Sequence, residues 1–212
     1  MSQYLQIHPQ NPQLRLIRRA ADILRDGGVV VYPTDSCYAL GCTIGNKDAM
    51  HRIRRIRNAG KDHTFTLVCR DLSEISMYAL VDNAAYRLLR AHTPGPYTFI
   101  LKATREVPKR LQDPSRRTIG IRVPDHVVAL ALLDELGAPI MSSTLVLGGE
   151  ELPLSDPRDI RARLEEQVDA VIDGGAGGLV PTTIVDLVGD APRVVRAGKG
   201  AVGGLETSPR AT

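Results

Sequence analysis

Apolar positions along the chain alternate between a helical and an extended period. Leu14, Ile17, Ala21 and Leu24 recur at helical spacing, and with Asn11 as cap, Pro12 in the first turn and Gly27 as stop they predict a helix over residues 11–26. Val29 to Val31 form a β-branched run suited to a buried strand, which Pro33 ends by removing a ladder donor. A polar loop follows. Asn46 then caps a helix with Met50, Ile53 and Ile56 as its buried stripe, leaving Arg52, Arg54, Arg55 and Arg57 on its other faces. Beyond it the pattern predicts a strand over 65–69, short helices begun by Asp71 and Asp82, a turn at Thr93-Pro94-Gly95-Pro96, and strands over 97–102 and 119–123. A helix capped by Asp125 runs to Leu136 and stops at Gly137, and 139–142 reads as a strand. Ser155-Asp156-Pro157 opens an acidic helix to about Gln167, followed by a strand over 168–172 and a glycine-rich bend at 174–178. The strands 184–187 and 193–196 are joined so closely that they should pair antiparallel. No repeat or break in composition divides the alternation, so it predicts one α/β domain over 1–212, with a core from about 12 to 200 and a loose tail over 201–212.

Composition sharpens this picture. Hydrophobic residues make up 43% and aromatics only 4% with no Trp, so the core must be Val, Ile, Leu and Ala, as in a sheet covered on both faces. No apolar run approaches the roughly 18 residues of a membrane span, and the N-terminal stretch lacks a basic and apolar leader pattern, which predicts a cytoplasmic protein without a membrane partner. Cys37, Cys42 and Cys69 lie in or beside apolar strands without CxxC spacing and read as core thiols. His51, His63, His92 and His126 show no paired spacing, so no tightly held metal is expected. The net charge of +3 says little, but its distribution says more. Residues 52–70 carry a net +5, residues 102–122 a net +5 and residues 150–173 a net −5, which allows one positive face suited to phosphates.

The candidate chemistry sits where the first strand ends. Thr34, Asp35, Ser36 and Tyr38 put three hydroxyls and a carboxylate within five residues, at a place where open α/β sheets present ligand groups. The same residues also suit a turn with Asx and Ser/Thr caps. The stretch resembles the threonylcarbamoyl-AMP synthase (YrdC-like) family, whose strand is followed by a Pro-Thr-acidic-hydroxyl-x-Tyr-x-Leu-Gly loop matched by Pro33 to Gly41. Later blocks match in the family's order: Thr93 to Leu101, Gly120 to His126, Pro181 to Leu187 and Val195 to Gly198. Within that family the chain looks most like the YciO branch.

The resemblance implies a YrdC-like three-layer α/β fold, with a twisted mixed sheet, helices on its faces and a concave basic cleft. It also implies formation of threonylcarbamoyl-adenylate from ATP, L-threonine and bicarbonate, with Mg²⁺ accompanying ATP, as the intermediate of a tRNA adenosine modification. By the same resemblance Tyr32, Thr34, Ser36, Tyr38, Arg122 and Thr183 should bind substrate. Arg57 and Lys61 should clamp phosphates as the catalytic cations, and Ser142, Ser143, Thr144 and Arg196 should hold the nucleotide. Two departures stand out. Asn58 and Gly60 occupy the places of the synthases' Lys-x-Arg pair, and Leu145 that of the Asn in their Ser-x-Asn, which predicts slow turnover. The alternative is a module that binds double-stranded RNA through the two +5 segments, or a nucleotide, without efficient turnover.

Overall fold

The computed structural model describes residues 1–60, 63–203 and 205. Among them ten strands form one mixed sheet: β1 (Gln3–Gln6), β2 (Val30–Tyr32), β3 (Ala39–Thr43), β4 (Thr66–Val68), β5 (Tyr97–Lys102), β6 (Thr118–Arg122), β7 (Ile140–Thr144), β8 (Ala170–Asp173), β9 (Thr183–Asp186) and β10 (Arg193–Arg196). Their order across the sheet is β1-β8-β2-β3-β7-β4-β6-β5-β9-β10. The α-helices are α1 (Leu14–Arg25), α2 (Lys47–Ile56), α3 (Leu72–Tyr78), α4 (Asn83–His92), α5 (Val127–Leu136) and α6 (Pro157–Leu164). This is the mixed α/β sheet that the sequence implies, and β9 and β10 pair antiparallel as expected.

Strand alternation sorts the side chains into two cores. Val31, Leu40, Leu67, Phe99 and Met141 share one with Ile53 of α2 and with Ile160 and Leu164 of α6. Val30, Tyr32, Ala39 and Ile172 share the other with Ile17 and Leu24 of α1 and Val128 and Leu132 of α5. α1 reaches β1, β8, β2 and β3. Toward β6, β5 and β9 that cover gives out, and the same sheet face meets open space.

Several local expectations need correction. The first helix begins at Leu14 with Gln13 in the cap position, not at Asn11. His8 has taken the preceding residues: its Nδ1 accepts the N–H groups of Gln10 and Asn11, closing a turn before the helix starts. His126, not Asp125, precedes α5. β1 and β3 were not foreseen: β1 is a four-residue edge strand, and β3 consists of Ala, Leu, Gly, Cys and Thr, whose small side chains hide its period. The loose tail predicted over 201–212 lies largely outside the described residues.

Leu145 follows β7 with its side chain fully buried in the core beneath α2 and α6, and its N–H donates to the Tyr38 carbonyl at 2.9 Å. The place aligned with the synthases' Asn therefore faces the core, away from the open sheet face. Leu145→Asn should destabilise the protein by about 2–4 kcal/mol through lost packing and a buried amide. An unchanged denaturation midpoint in guanidinium would show that this side chain reaches water.

Candidate functional site

The uncovered face forms a floor of small polar groups. Thr66 of β4 stands between Ser142 of β7 and Gly120 of β6, while Thr144, Thr118 and Thr98 extend the surface along their strands. A Cβ on Gly120 would come 3.3 Å from Thr98 Cγ2 and 3.5 Å from Thr66 Oγ1, so the missing side chain leaves a hollow in the floor. Over it lies a cavity of about 500 Å³, bounded also by Arg57, His63, Leu111, Arg116, Thr182 and Arg196.

The loop after β2 forms part of the wall. Thr34 Oγ1 donates to the Cys37 carbonyl at 2.6 Å and accepts the N–H groups of Ser36 and Cys37, so the capping role and a place on the cavity wall belong to the same hydroxyl. Arg122 Nη2 ion-pairs with Asp35, and its Nη1 donates to Ser36 Oγ at 3.2 Å. Side-chain exposures of 8% for Arg122 and 9% for Asp35 put this pair in the regime where removing one partner strands a buried charge. Asp35 Oδ2 and Arg122 Nε remain buried without partners among the described residues. Ser36 is only 4% exposed, so it is not the exposed loop hydroxyl that its setting in the sequence suggests. Tyr38 also lines the cavity, with its hydroxyl donating to the Gly175 carbonyl at 2.7 Å and accepting the Gly174 N–H.

Two expected substrate residues lie behind the wall. Tyr32 is 1% exposed in the core beside α1 and α5, and its hydroxyl donates to Ser142 Oγ at 2.8 Å, so it orients a wall residue instead of lining the cavity. Thr183 is fully buried, donating to the Gly200 carbonyl at 2.6 Å and accepting the Gly198 N–H. Its neighbour Thr182 takes the wall position, 2.9 Å from Thr98 Oγ1 through its own hydroxyl.

Elsewhere on the wall the cations gather. Arg57, the residue that caps α2, donates from Nη1 to Ser143 Oγ. His63 Nε2 lies 3.0 Å from that same nitrogen and 2.8 Å from Ser143 Oγ. Burial, then the charges of Arg57 and Arg54, push the His63 pKa down to about 4, so the ring is neutral near pH 7. Burial and the charge of Arg196 lower the Arg57 pKa as well, which places two like charges within electrostatic reach of each other. Arg196 donates to the Thr182 carbonyl at 2.9 Å. Arg116 is paired instead, with Asp186 at 2.7 Å. Thus Arg57, Arg122 and Arg196 meet at one cavity with Ser142, Ser143 and Thr144; Lys61 lies outside the described residues.

Cys37, Cys42 and Cys69 are free, buried thiols, with Cys37 on the cavity wall. Among the described residues no three His, Cys, Asp or Glu side chains cluster as a metal site, and no helix is long and apolar enough to cross a membrane. The sequence did not point to Thr66, Thr98, Thr118 or Thr182 as lining residues, marked His63 only as a histidine without metal spacing, and gave Asp35 as the loop's carboxylate without its Arg122 partner. The signal was present in Thr118-Ile119-Gly120-Ile121-Arg122, where apolar residues face a core and every second position is polar or bare, as on a strand with one wet face.

Residues 22–198 match the Sua5/YciO/YrdC family model, described as telomere recombination. The chain is 58% identical over 202 residues to the uncharacterised protein YciO of Escherichia coli (strain K12), covering 95% of this chain and 98% of that one. The crystal structure of E. coli YciO matches with a TM-score of 0.92, over 96% of this chain and 98% of that one, at the same 58% identity. A threonylcarbamoyl-AMP synthase of Chromobacterium violaceum is 35% identical over 190 residues, covering 89% of this chain and 96% of its own. P. abyssi Sua5 complexed with L-threonine shares the fold, with a TM-score of 0.88 at 23% identity, over 97% of this chain and 62% of that one. Matched along most of its length in both sequence and fold, the chain belongs to the Sua5/YciO/YrdC family.

Proposed function

We propose that the cavity binds MgATP and L-threonine and forms threonylcarbamoyl-adenylate slowly, as a synthase-type nucleotidyltransferase serving tRNA adenosine modification. The observation that carries this reading is that Arg57 and Arg196 share one cavity and neither has a carboxylate partner among the described residues. Two guanidiniums without a carboxylate partner, Arg57 part-buried and Arg196 exposed, repel each other and favour an anion that bridges them. The hydroxyl floor beside them supplies donors and acceptors for an amino acid and a ribose without adding charge.

The chemistry follows from these parts. The neutral threonine amine adds to bicarbonate, giving a carbamate and water. A carbamate oxygen then attacks the α-phosphorus in line, and pyrophosphate leaves with the electron pair of the broken P–O bond. Arg57 and Arg196 balance charge on the phosphates, with Mg²⁺ arriving as part of the substrate. Arg122, held by Asp35, has N–H groups left over for the substrate carboxylate. The Asn58 and Gly60 departures remove two cations relative to the synthases, which is the reason for slow turnover. Incubation with MgATP, L-threonine and bicarbonate should release pyrophosphate and acyl adenylate in a threonine-dependent way, at a rate well below that of a synthase. Absence of both products, or a synthase-like rate, overturns this account.

The buried pair allows function to be separated from folding. Arg122→Gln should cost about 3–5 kcal/mol of stability because Asp35 is left charged and buried. Adding Asp35→Asn should restore most of the stability while threonine binding, followed by calorimetry, stays weak. A double variant that is stable and binds threonine normally would remove Arg122 from the substrate site.

His63 gives a pH dependence with a definite sign. Its pKa in the folded protein, about 4, lies below the usual 6.5, so the unfolded chain binds the extra proton between those values. Stability is therefore complete above pH 6.5 and falls as pH drops toward 4, by at most about 3 kcal/mol from this group. Comparing urea midpoints at pH 7 and 4.5, His63→Asn should show a shallower loss than wild type. An equal loss would show that the ring is solvated.

A further inference from the structure

The end of α2 is closed by a residue that the sequence comparison treats only as a missing cation. Asn58 has a φ of +48°, its N–H donates to the Arg55 carbonyl at 3.1 Å, and the N–H of Ala59 donates to the Arg54 carbonyl at 2.9 Å. Those two bonds are the paired reverse turns that stop a helix through a left-handed residue, a place usually held by Gly and next most readily by Asn. Arg57 lies inside this turn, immediately before Asn58.

A second contact pins the turn from outside. The loop after β7 lays Gly148 on Asn58 so closely that a Cβ on Gly148 would sit 2.4 Å from the Asn58 Cβ, and the Gly148 N–H points at the Ile56 carbonyl at 3.4 Å. This loop continues from Ser143 and Thr144 through Val146, which also lines the cavity. The Asn58–Gly148 contact therefore joins the backbone that carries Arg57 to the backbone that carries its hydroxyl partner Ser143. Arg57 Nε is buried without a partner among the described residues, so the guanidinium is held through Nη1 by Ser143 and His63 and depends on where the backbone sets it.

We infer that Asn58 is a positioning residue: its left-handed turn, packed on Gly148, sets the Arg57 guanidinium against Ser143 before an anion arrives. The inference rests on the reading of the cavity as a nucleotide site. It implies that this chain substitutes a fixed geometry for the charge missing at Asn58.

Calorimetric affinities for MgATP and for L-threonine test it, with thermal melting as a check on folding, in the full-length chain. Arg57→Ala should weaken MgATP binding at least tenfold. Gly148→Ala, which drives a methyl into Asn58, should weaken it about fivefold or more and leave threonine affinity within twofold. Asn58→Gly, which keeps the turn and removes the obstructing Cβ, should bind like wild type and should rescue Gly148→Ala in the double variant. Asn58→Ala, strained at positive φ, should weaken MgATP binding without touching threonine, and this variant decides the matter if Gly148→Ala does not fold. A loss at Arg57→Ala with no loss at Asn58→Ala, or no rescue in the double variant, overturns the positioning role alone. Wild-type MgATP affinity in Arg57→Ala overturns the nucleotide reading and this inference with it.

Discussion

A mixed sheet that includes parallel pairs, here β1 with β8, β8 with β2, β4 with β6 and β5 with β9, keeps its backbone and its β-branched side chains stable by covering both faces. Here the layer made by α1 and α5 covers β1, β8, β2 and β3 and gives out before β6, β5 and β9. Strands at that end keep one apolar face on the α2 and α6 core and must present something water tolerates on the other. The sequence answers with Thr66, Thr98, Thr118 and Ser142, and with no side chain at Gly120. The cavity is thus what an interrupted helical layer leaves behind, and its hydroxyl lining is required by the fold before any ligand is considered.

Charge is divided within the cavity according to pairing. Arg122 and Arg116 are bound to Asp35 and Asp186, and in those pairs they fasten the loop after β2 to β6 and the segment before β6 to β9. The buried Arg122–Asp35 pair contributes little net stability but is costly to break, so it fixes geometry. Arg57 and Arg196 have no such partner among the described residues, and the neutral His63 beside Arg57 adds no positive charge of its own. The paired cations build the site, and Arg57 and Arg196 are left to face the cavity without a carboxylate partner among the described residues.

Much of this was legible in the chain. Caps with a side-chain oxygen, as at Asn46, Asp71, Asp82 and Asp156, and apolar stripes such as Ile17, Ala21 and Leu24 report local physics and mark helices directly. β3 escaped because its small residues are buried on both faces and show no alternation. Tyr32 and Thr183 sit inside motif blocks, but whether such a side chain meets the cavity or stands behind it depends on strand parity, which one residue of register decides. The role of Asp35 needed Arg122, which is 87 positions away in sequence and which only the folded sheet brings to it.

The pairing of β1 and β2 with β8 also bears on how the protein is made. Gln3 lies beside Ala170 and Val30 beside the same residue, so β1 has no sheet neighbour, and β2 only β3, until β8 has been synthesised. β3 waits likewise for β7, and Arg196 joins the cavity later still. Such distant pairings slow folding and leave apolar strand edges bare on the growing chain. A ribosome-bound chain ending before β8 therefore carries Val29, Val30 and Val31 with one edge unpaired, and its cavity is among the last features to close during translation.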